Sequence, residues 1–513
     1  MTDPAYSLST RIRRIPRQYL LCFFSTLIWG LLAHGMTLFN KYSLYEDVSQ
    51  LFGVGATYQS GRWMLDILHR LEVFLLGGSY SLPLLNGLVT ILYIGLTGCL
   101  ICKLLSIEKT GSCIALGGIL VTTPVLTGTF GYMFTAPHYA LGLLMGVAGV
   151  VVVCKKSGWV HLLCGTFLIS CAMGVYQAVL PVVLGLLLIR FIHITFAQKD
   201  WSVRVYCQKA GYMLLACALF MGLYFLINKL YLHYKSATLL SYQGIDTAGK
   251  LPVSTYLKRA LYAYKEFLLP SKDSSAYMYP NGMIWLYRLA QLAAGLLTIR
   301  MLVCYGKRFM ALLLPICLLP LAMNFIYVMC DKADIHSLMV YNHVLLFIYL
   351  LWISGTALRD DSKLPKKLLA AMLAIPLLLS GLYVRYDNVC YLKAEFVQEQ
   401  TIRYFTTLVT RIQSTPGYRD DMAVNFLNFN EKADSTLTQN EGFDSIAIIP
   451  YYDTGDMVNS FASRSFIRYW CGFDPVYDYA GYTEDPQVQA MPCYPDDGSI
   501  AVINDTIVVK FAP

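Results

Sequence analysis

Four groups of polar residues in this chain have the types and spacing that can do chemistry. The sharpest is Tyr45-Glu46-Asp47, followed by Arg62-Trp63 in a segment rich in glycine and aromatics. A partly desolvated carboxylate can hold a raised pKa and take a proton from a hydroxyl. A nearby arginine can clasp a phosphate through two parallel hydrogen bonds. The plainer reading is that Glu46 and Asp47 cap or solvate a helix end. The second group is Phe134-Thr135-Ala136-Pro137-His138-Tyr139. A histidine beside proline at a helix start could contact an anion or a sugar, but a lone histidine is more often an ordinary interface residue. The third is Tyr176-Gln177, a pair suited to sugar hydroxyls, although tyrosine also favours membrane interfaces for no functional reason. The fourth runs from Asp331-Lys332-Ala333-Asp334-Ile335-His336 to Tyr341-Asn342-His343. It could add ligands or simply be a polar loop.

The elements that must carry these groups are membrane spans. Of the 513 residues, 56% are apolar and 14% are charged, where a soluble domain carries about a quarter charged. The mean hydropathy is +0.51. An ordinary cytosolic enzyme, a disordered chain and a disulfide-stapled mini-protein are excluded. Runs of roughly 20 apolar residues, the length that crosses a bilayer, number about eleven. They centre near Ile28, Ile91, Ile119, Leu144, Phe167, Gly185, Ala216, Ala293, Leu314, Leu346 and Ala374. The junction between the Phe167 and Gly185 runs is a short Tyr/Gln/Pro stretch where the count could change by one. Arg11, Arg13, Arg14 and Arg17 precede the first run. That run is long and lacks a small-x-small cleavage site, so it reads as a retained span with the N-terminus inside.

Alternating sides places basic residues in every inner loop: Lys103/Lys109, Lys155/Lys156, Lys199/Arg204/Lys209, Lys307/Arg308 and Arg359/Lys363/Lys366/Lys367. This is the positive-inside pattern. It accounts for the net charge of +8 without nucleic acid. An odd span count puts the C-terminus outside, and all four polar groups then share the outer level. Midplane charges are few and no internal repeat is visible, which weakens an ion-coupled, repeat-built transporter. No phosphate-binding glycine loop, dinucleotide fingerprint or nucleophile elbow is present. Most of the fifteen cysteines sit in apolar runs as small hydrophobes, and Cys99-x-x-Cys102 has no second pair to complete a zinc site.

The expected architecture is mainly α. A membrane domain over 1–384 carries large outer loops at about 39–80 and 231–282, and an extracytoplasmic α/β domain fills 385–513. That domain opens with a helical pattern, KAEFVQEQTIRYFTTLVTRIQ, and continues with β-like runs, SIAIIPYY and SIAVINDTIVVKF. Cys471 and Cys493 could pair there in an oxidising exterior or stay solitary. The aromatics Tyr451, Tyr452, Tyr469, Trp470, Tyr477 and Tyr479 could stack on sugars, though most should fill a small core.

YEDVSQLFGVGATYQSGRW, the later GVYQA and the closing TIVVKF resemble the Gtr type II family of serotype-converting O-antigen glucosyltransferases, polytopic enzymes of the GT-C architecture. The likeness covers most of the chain in layout and is specific at these short motifs. It implies a donor such as undecaprenyl-phosphate-glucose, a surface glycan acceptor, a bacterial inner-membrane location and no cofactor. The matching positions are Glu46, Asp47, Arg62, Trp63, Tyr176 and Gln177. The family pattern has an Asp-Asp pair where Glu46 precedes Asp47 here, which puts the role of Glu46 in doubt more than that of Asp47. A lipid phosphate leaves as a stable anion, so the reaction needs one base and donors for the phosphate. The expected base is Asp47, with Glu46 beside it. Arg62, and secondarily His138, would hold the phosphate. Trp63, Tyr176, Gln177, His336 and Tyr341 would line the sugar or lipid site. Direct displacement with one base inverts the anomeric centre and needs no obligatory metal, although two adjacent acids could hold a divalent ion. The competing classes are a lipid-linked sugar flippase, a surface-polysaccharide polymerase and a non-enzymatic assembly protein.

Overall fold

The computed structural model describes residues 15–43, 46–55, 57–155, 158–198, 202–241, 250–274, 276–306, 309–359, 366–429 and 460–513. The chain divides into two compact units. The first comprises Met1–Asn40 with Phe52–Asn388, and the second Lys41–Leu51 with Val389–Pro513. Residues 41–51 of the expected first outer loop therefore belong with the C-terminal residues.

The first unit is a multi-pass helical body. Among the described residues, seven helices are long and apolar enough to cross a membrane: Arg17–Phe39, Pro83–Leu105, Ala136–Lys155, Gln177–Phe196, Val203–Tyr234, Met283–Tyr305 and Ala370–Gln413. Against the expectation of about eleven spans, the described residues hold these seven, or eight if one bent pair counts as a span. Apolar character marks the remaining segments, but local chemistry shortens them. Thr110–Val121 and Pro124–Phe130 meet at a 42° bend, where Pro124 opens the second piece and the Thr123 side chain caps it. Trp159–Val175 stops at the extended Tyr176. Phe309–Met323 contains Pro315 and Pro320, each without an N–H for the helix ladder. Near Leu346, only Leu345–Arg359 is α-helical, and the residues before it form short 3-10 turns at Lys332–Asp334, Ser337–Met339 and Tyr341–Val344. Of the basic loop residues, Lys156, Lys199, Lys307, Arg308 and Lys363 lie outside the described residues.

The second unit holds a three-stranded sheet of order β1-β3-β2, with β1 Ala423–Leu427, β2 Ile500–Ile503 and β3 Thr506–Lys510. SIAVINDTIVVKF is the β2–β3 hairpin. Its turn is Asn504-Asp505, both at positive φ (49° and 66°), the geometry that matches strand twist in two-residue loops. The parallel partner β1 comes from AVNFL, a run too short to stand out in the sequence. SIAIIPYY, with Tyr451 and Tyr452, lies outside the described residues. KAEFVQEQTIRYFTTLVTRIQ does not begin a new helix. It continues Lys366–Gln413, because no glycine or proline follows Gly381 to stop it. Phe405, Leu408, Ile412, Phe466 and Ile507 form the core of this unit. Trp470 stacks on Phe466 at 4.8 Å and Tyr477 meets Phe426 edge-on at 5.6 Å, while Tyr469 and Tyr479 are exposed. Cys471 and Cys493 are unpaired thiols.

Lipid offers no hydrophobic drive between helices, so close backbone contact must come from small residues. Gly149 and Gly165 supply it reciprocally. A methyl group on Gly149 would lie 2.7 Å from the Gly165 carbonyl oxygen, and one on Gly165 would lie 2.8 Å from the Gly149 carbonyl oxygen. Gly117 brings its helix equally close to Arg17–Phe39, with the Cys22 carbonyl oxygen 2.7 Å from such a methyl group. Gly149→Ala should therefore cost about 1–3 kcal/mol through overpacking and lower the unfolding temperature in detergent. Gly211→Ala, whose methyl group meets none of the described residues within 4 Å, should leave it unchanged or raise it.

Candidate active site

The site begins at a turn. Tyr58–Ser60 forms one 3-10 turn closed by Gly61 at φ 78°, a left-handed conformation that glycine adopts without penalty. Arg62 then precedes the helix Trp63–Leu76. Both carbonyls before Arg62 are held. Gln177 Nε2 donates to Ser60 O at 2.8 Å and to the Tyr224 hydroxyl at 3.1 Å, and that hydroxyl donates to Gly61 O at 3.1 Å. Trp63 is 3% exposed and fills the space that Gly174 leaves, where a methyl group would lie 2.5 Å from its Cε2. The structure thus uses Gln177 and Trp63 to fix the backbone that presents Arg62.

Arg62 is buried, at 8% exposure. Its Nη1 donates to the Tyr139 hydroxyl at 3.1 Å. The guanidinium carbon lies 5.2 Å from the Tyr176 ring centre and 5.9 Å from that of Tyr139. The two rings stack at 4.3 Å and 6°. The arrangement is a cation on an aromatic platform. His336, in the turns before Leu345, is pushed down to about 4 by burial and then by the charge of Arg62. It is therefore neutral at neutral pH. Tyr139, Tyr176 and Tyr341 also line an apolar cavity of about 460 Å3, together with Ile94, Leu143 and Val182. The Tyr341 hydroxyl is anchored to Leu120 O at 2.5 Å.

Two carboxylates that sequence reasoning missed, Asp66 and Glu72, lie on Trp63–Leu76. Burial alone would raise the Asp66 pKa, but hydrogen bonds from Arg70 (2.9 Å), Tyr231 (2.7 Å) and Lys235 (3.1 Å) outweigh it and hold it below the usual range. Glu72 is likewise raised by burial and lowered on balance by His138 and Ser79. Its Oε2 accepts the Ser79 hydroxyl at 2.7 Å and lies 3.4 Å from His138 Nε2. The other His138 nitrogen, Nδ1, is buried with no hydrogen-bond partner among the described residues. His138 and Arg62 are linked through Tyr139, which follows His138 in the chain and binds Arg62. The i, i+3, i+6 spacing of Asp66, His69 and Glu72 on one helix was the available signal.

The acidic pair lies in the second unit, within the short helix Glu46–Ser49. Asp47 is fully buried, and its Oδ2 receives Lys41 Nζ at 2.6 Å and the Ser43 hydroxyl at 2.5 Å. Val48 enters the core beside Phe466, while Glu46 is exposed. Tyr45 lies outside the described residues. In the first unit, Asp331 caps its own turn through Ala333 N and meets Arg259 at 3.4 Å, a structural role. Among the described residues no group of three or more His, Cys, Asp or Glu converges as metal ligands would.

Because the folded His336 pKa is about 4 against an ordinary 6.5, the unfolded chain binds more protons between those values. Its contribution to stability is present above pH 6.5 and is lost as pH falls toward 4. The loss amounts to about 2 kcal/mol at pH 5. His336→Gln should remove that part of the acid sensitivity, seen as a smaller drop in unfolding temperature between pH 7 and pH 5.

No curated protein and no solved structure matches the chain. The model of one family does match, that of the glucosyl transferase GtrII, over residues 35–347. That span contains Arg62, its tyrosine platform, the His138–Glu72 pair and the turns that carry His336 and Tyr341. It covers most of the multi-pass body. On that match, the chain belongs to the GtrII glucosyl transferase family.

Proposed function

We propose that this membrane glucosyltransferase moves glucose from a polyprenyl-phosphate donor, of the undecaprenyl-phosphate-glucose kind, to a surface polysaccharide on the extracytoplasmic face. One observation carries the reading. Arg62, a buried permanent cation, sits on Tyr139 and Tyr176, and the same two rings wall an apolar cavity. A ligand with an anionic head and a hydrocarbon tail satisfies both halves at once. Free nucleotide sugars or soluble sugar phosphates would leave the cavity unused. The apolar lining would meet the start of the isoprenoid chain, with the rest of the chain in lipid. Lys103 and Lys155, at one set of helix ends, support an orientation with the Arg62 end outside.

In the reaction, an acceptor hydroxyl oxygen attacks C1 of the sugar. The C1–O bond to phosphate breaks, and its electron pair leaves with the polyprenyl phosphate. Arg62 compensates the charge that grows on that phosphate. The acceptor proton passes to a base, and a single displacement inverts C1 without a metal. Two groups can serve as the base. Asp47 is the carboxylate the sequence singles out, yet its Oδ2 already holds Lys41 and Ser43. His138 has Glu72 on one nitrogen and no partner among the described residues on the other, so we assign the proton to His138 with Glu72 as its positioning residue. Asp47 then keeps its segment folded.

Proteoliposomes supplied with radiolabelled undecaprenyl-phosphate-glucose and a purified surface polysaccharide test the assignment. Arg62→Ala should slow transfer by about 10²–10³-fold, the size of a lost charge-stabilising group, and Arg62→Lys should recover part of it. His138→Gln should slow the chemical step by about 10²–10⁴-fold and Glu72→Gln by less. Asp47→Asn should act mainly on stability. If Asp47→Asn abolishes transfer in a folded protein while His138→Gln does not, the base is Asp47. Wild-type protein that neither transfers nor hydrolyses this donor sinks the donor assignment.

A further inference from the structure

A second cavity, of about 510 Å3, lies in the first unit beside the turns that precede Leu345. The residues from 338 to 343 separate it from the apolar cavity. Leu338 and Tyr341 face the apolar side, whereas Val340, Asn342 and His343 face the second cavity. The two cavities therefore share one wall and differ sharply in chemistry.

The second cavity is polar and aromatic, and the described residues that line it include no lysine or arginine. Its walls include Tyr279, Tyr287 and Tyr327. Their hydroxyls are partly committed to the protein: Tyr287 donates to Phe267 O at 2.6 Å, and Tyr279 lies 3.4 Å from His343 Nδ1. What the rings offer a ligand is their faces. Two amides stand in series. Asn324 Nδ2 donates to Ala263 O at 3.2 Å, and Asn342 Nδ2 donates to Asn324 Oδ1 at 3.2 Å. The series ends at Asn342 Oδ1, which is buried with no hydrogen-bond partner among the described residues, on a side chain only 2% exposed. A buried acceptor left open costs free energy until a donor fills it. The one lining carboxylate, Glu266, accepts both the backbone N–H and the hydroxyl of Ser271. An anionic ligand would find no lysine or arginine among the described lining residues and would face the Glu266 carboxylate, whose ion-pair partner Lys265, at 3.6 Å, lies outside that lining. A hydrocarbon would leave Asn342 unsatisfied.

From this geometry we infer that the second cavity binds a neutral sugar ring, with a ring hydroxyl donating to Asn342 Oδ1 and the apolar ring face against the tyrosines. Resting on the glycosyl-transfer reading, this makes the cavity a subsite for a sugar unit of the acceptor glycan, held beside the donor cavity and across residues 338–343 from it. It is distinct from the Arg62 site in both charge and lining.

The probe is methyl glucoside, titrated into the full-length protein in detergent and followed by saturation-transfer NMR, with no donor present. Wild type should bind it, and inorganic phosphate should not displace it. Asn342→Leu removes the open acceptor and should raise Kd by about tenfold, the size of one hydrogen bond to a buried group. Ser274→Trp, at the cavity rim, should block binding without touching the amides, and covers the case in which Asn342→Leu fails to fold. Arg62→Ala should leave probe binding unchanged while removing transfer, so this inference and the transferase reading can fail separately. No binding to wild type, binding that survives both cavity variants, or loss with Arg62→Ala would each overturn the subsite.

Discussion

A guanidinium cannot give up its proton, so everything around Arg62 is arranged to keep a permanent charge below the protein surface. The ring pair Tyr139 and Tyr176 provides an electron-rich face, and the Tyr139 hydroxyl accepts one of its hydrogen bonds. Burial and the same charge together keep His336 neutral. Its position depends on backbone that is itself held, because Gln177, Tyr224 and Trp63 fix the turn from Ser60 to the start of the helix. These contacts come from helices far apart in sequence, so the helical body has to be packed before Arg62 has its place.

The charge also explains the chemistry nearby. A cation on aromatic rings that also line an apolar cavity sets a charged part and a hydrocarbon part beside the same two rings. Asp66 is occupied by Arg70, Tyr231 and Lys235 and stays an anion. Glu72 is shared between Ser79 and His138. Two acids on one helix therefore have different tasks, set by their neighbours: one neutralises cations, the other orients an imidazole. The turns around Tyr341 add a second division, apolar on the side of Leu338 and polar on the side of Asn342.

Much of the fold was legible because hydrocarbon solvation is a coarse and strong signal. Each apolar run marks a helical segment, and the family resemblance read from YEDVSQLFGVGATYQSGRW and GVYQA agrees with the GtrII match over 35–347. Span length was less legible. Pro124, Pro315 and Pro320 break or shorten helices whose hydropathy continues through them, and Tyr176 leaves the helix where the apolar run carries on. In the second unit the Asn504-Asp505 hairpin could be read from its turn chemistry. The strand Ala423–Leu427 could not, because its register is set by β3, a partner more than eighty residues away in the chain.

The sequence by itself determined that the chain is a multi-pass helical protein and that it belongs with glucosyltransferases, and it singled out Arg62, His138, Tyr176 and Tyr341 as candidates. These follow from composition, span alternation and short motifs, which are local properties. Only the tertiary structure decided which of them meet. It joined Arg62 to Tyr139 and Tyr176, gave His138 to Glu72, turned Gln177 and Trp63 to holding backbone, and paired Asp47 with Lys41 and Ser43 in the other unit. The reason is that a side chain's chemistry depends on its partners and its burial. Both are set by packing between segments that a linear reading keeps apart.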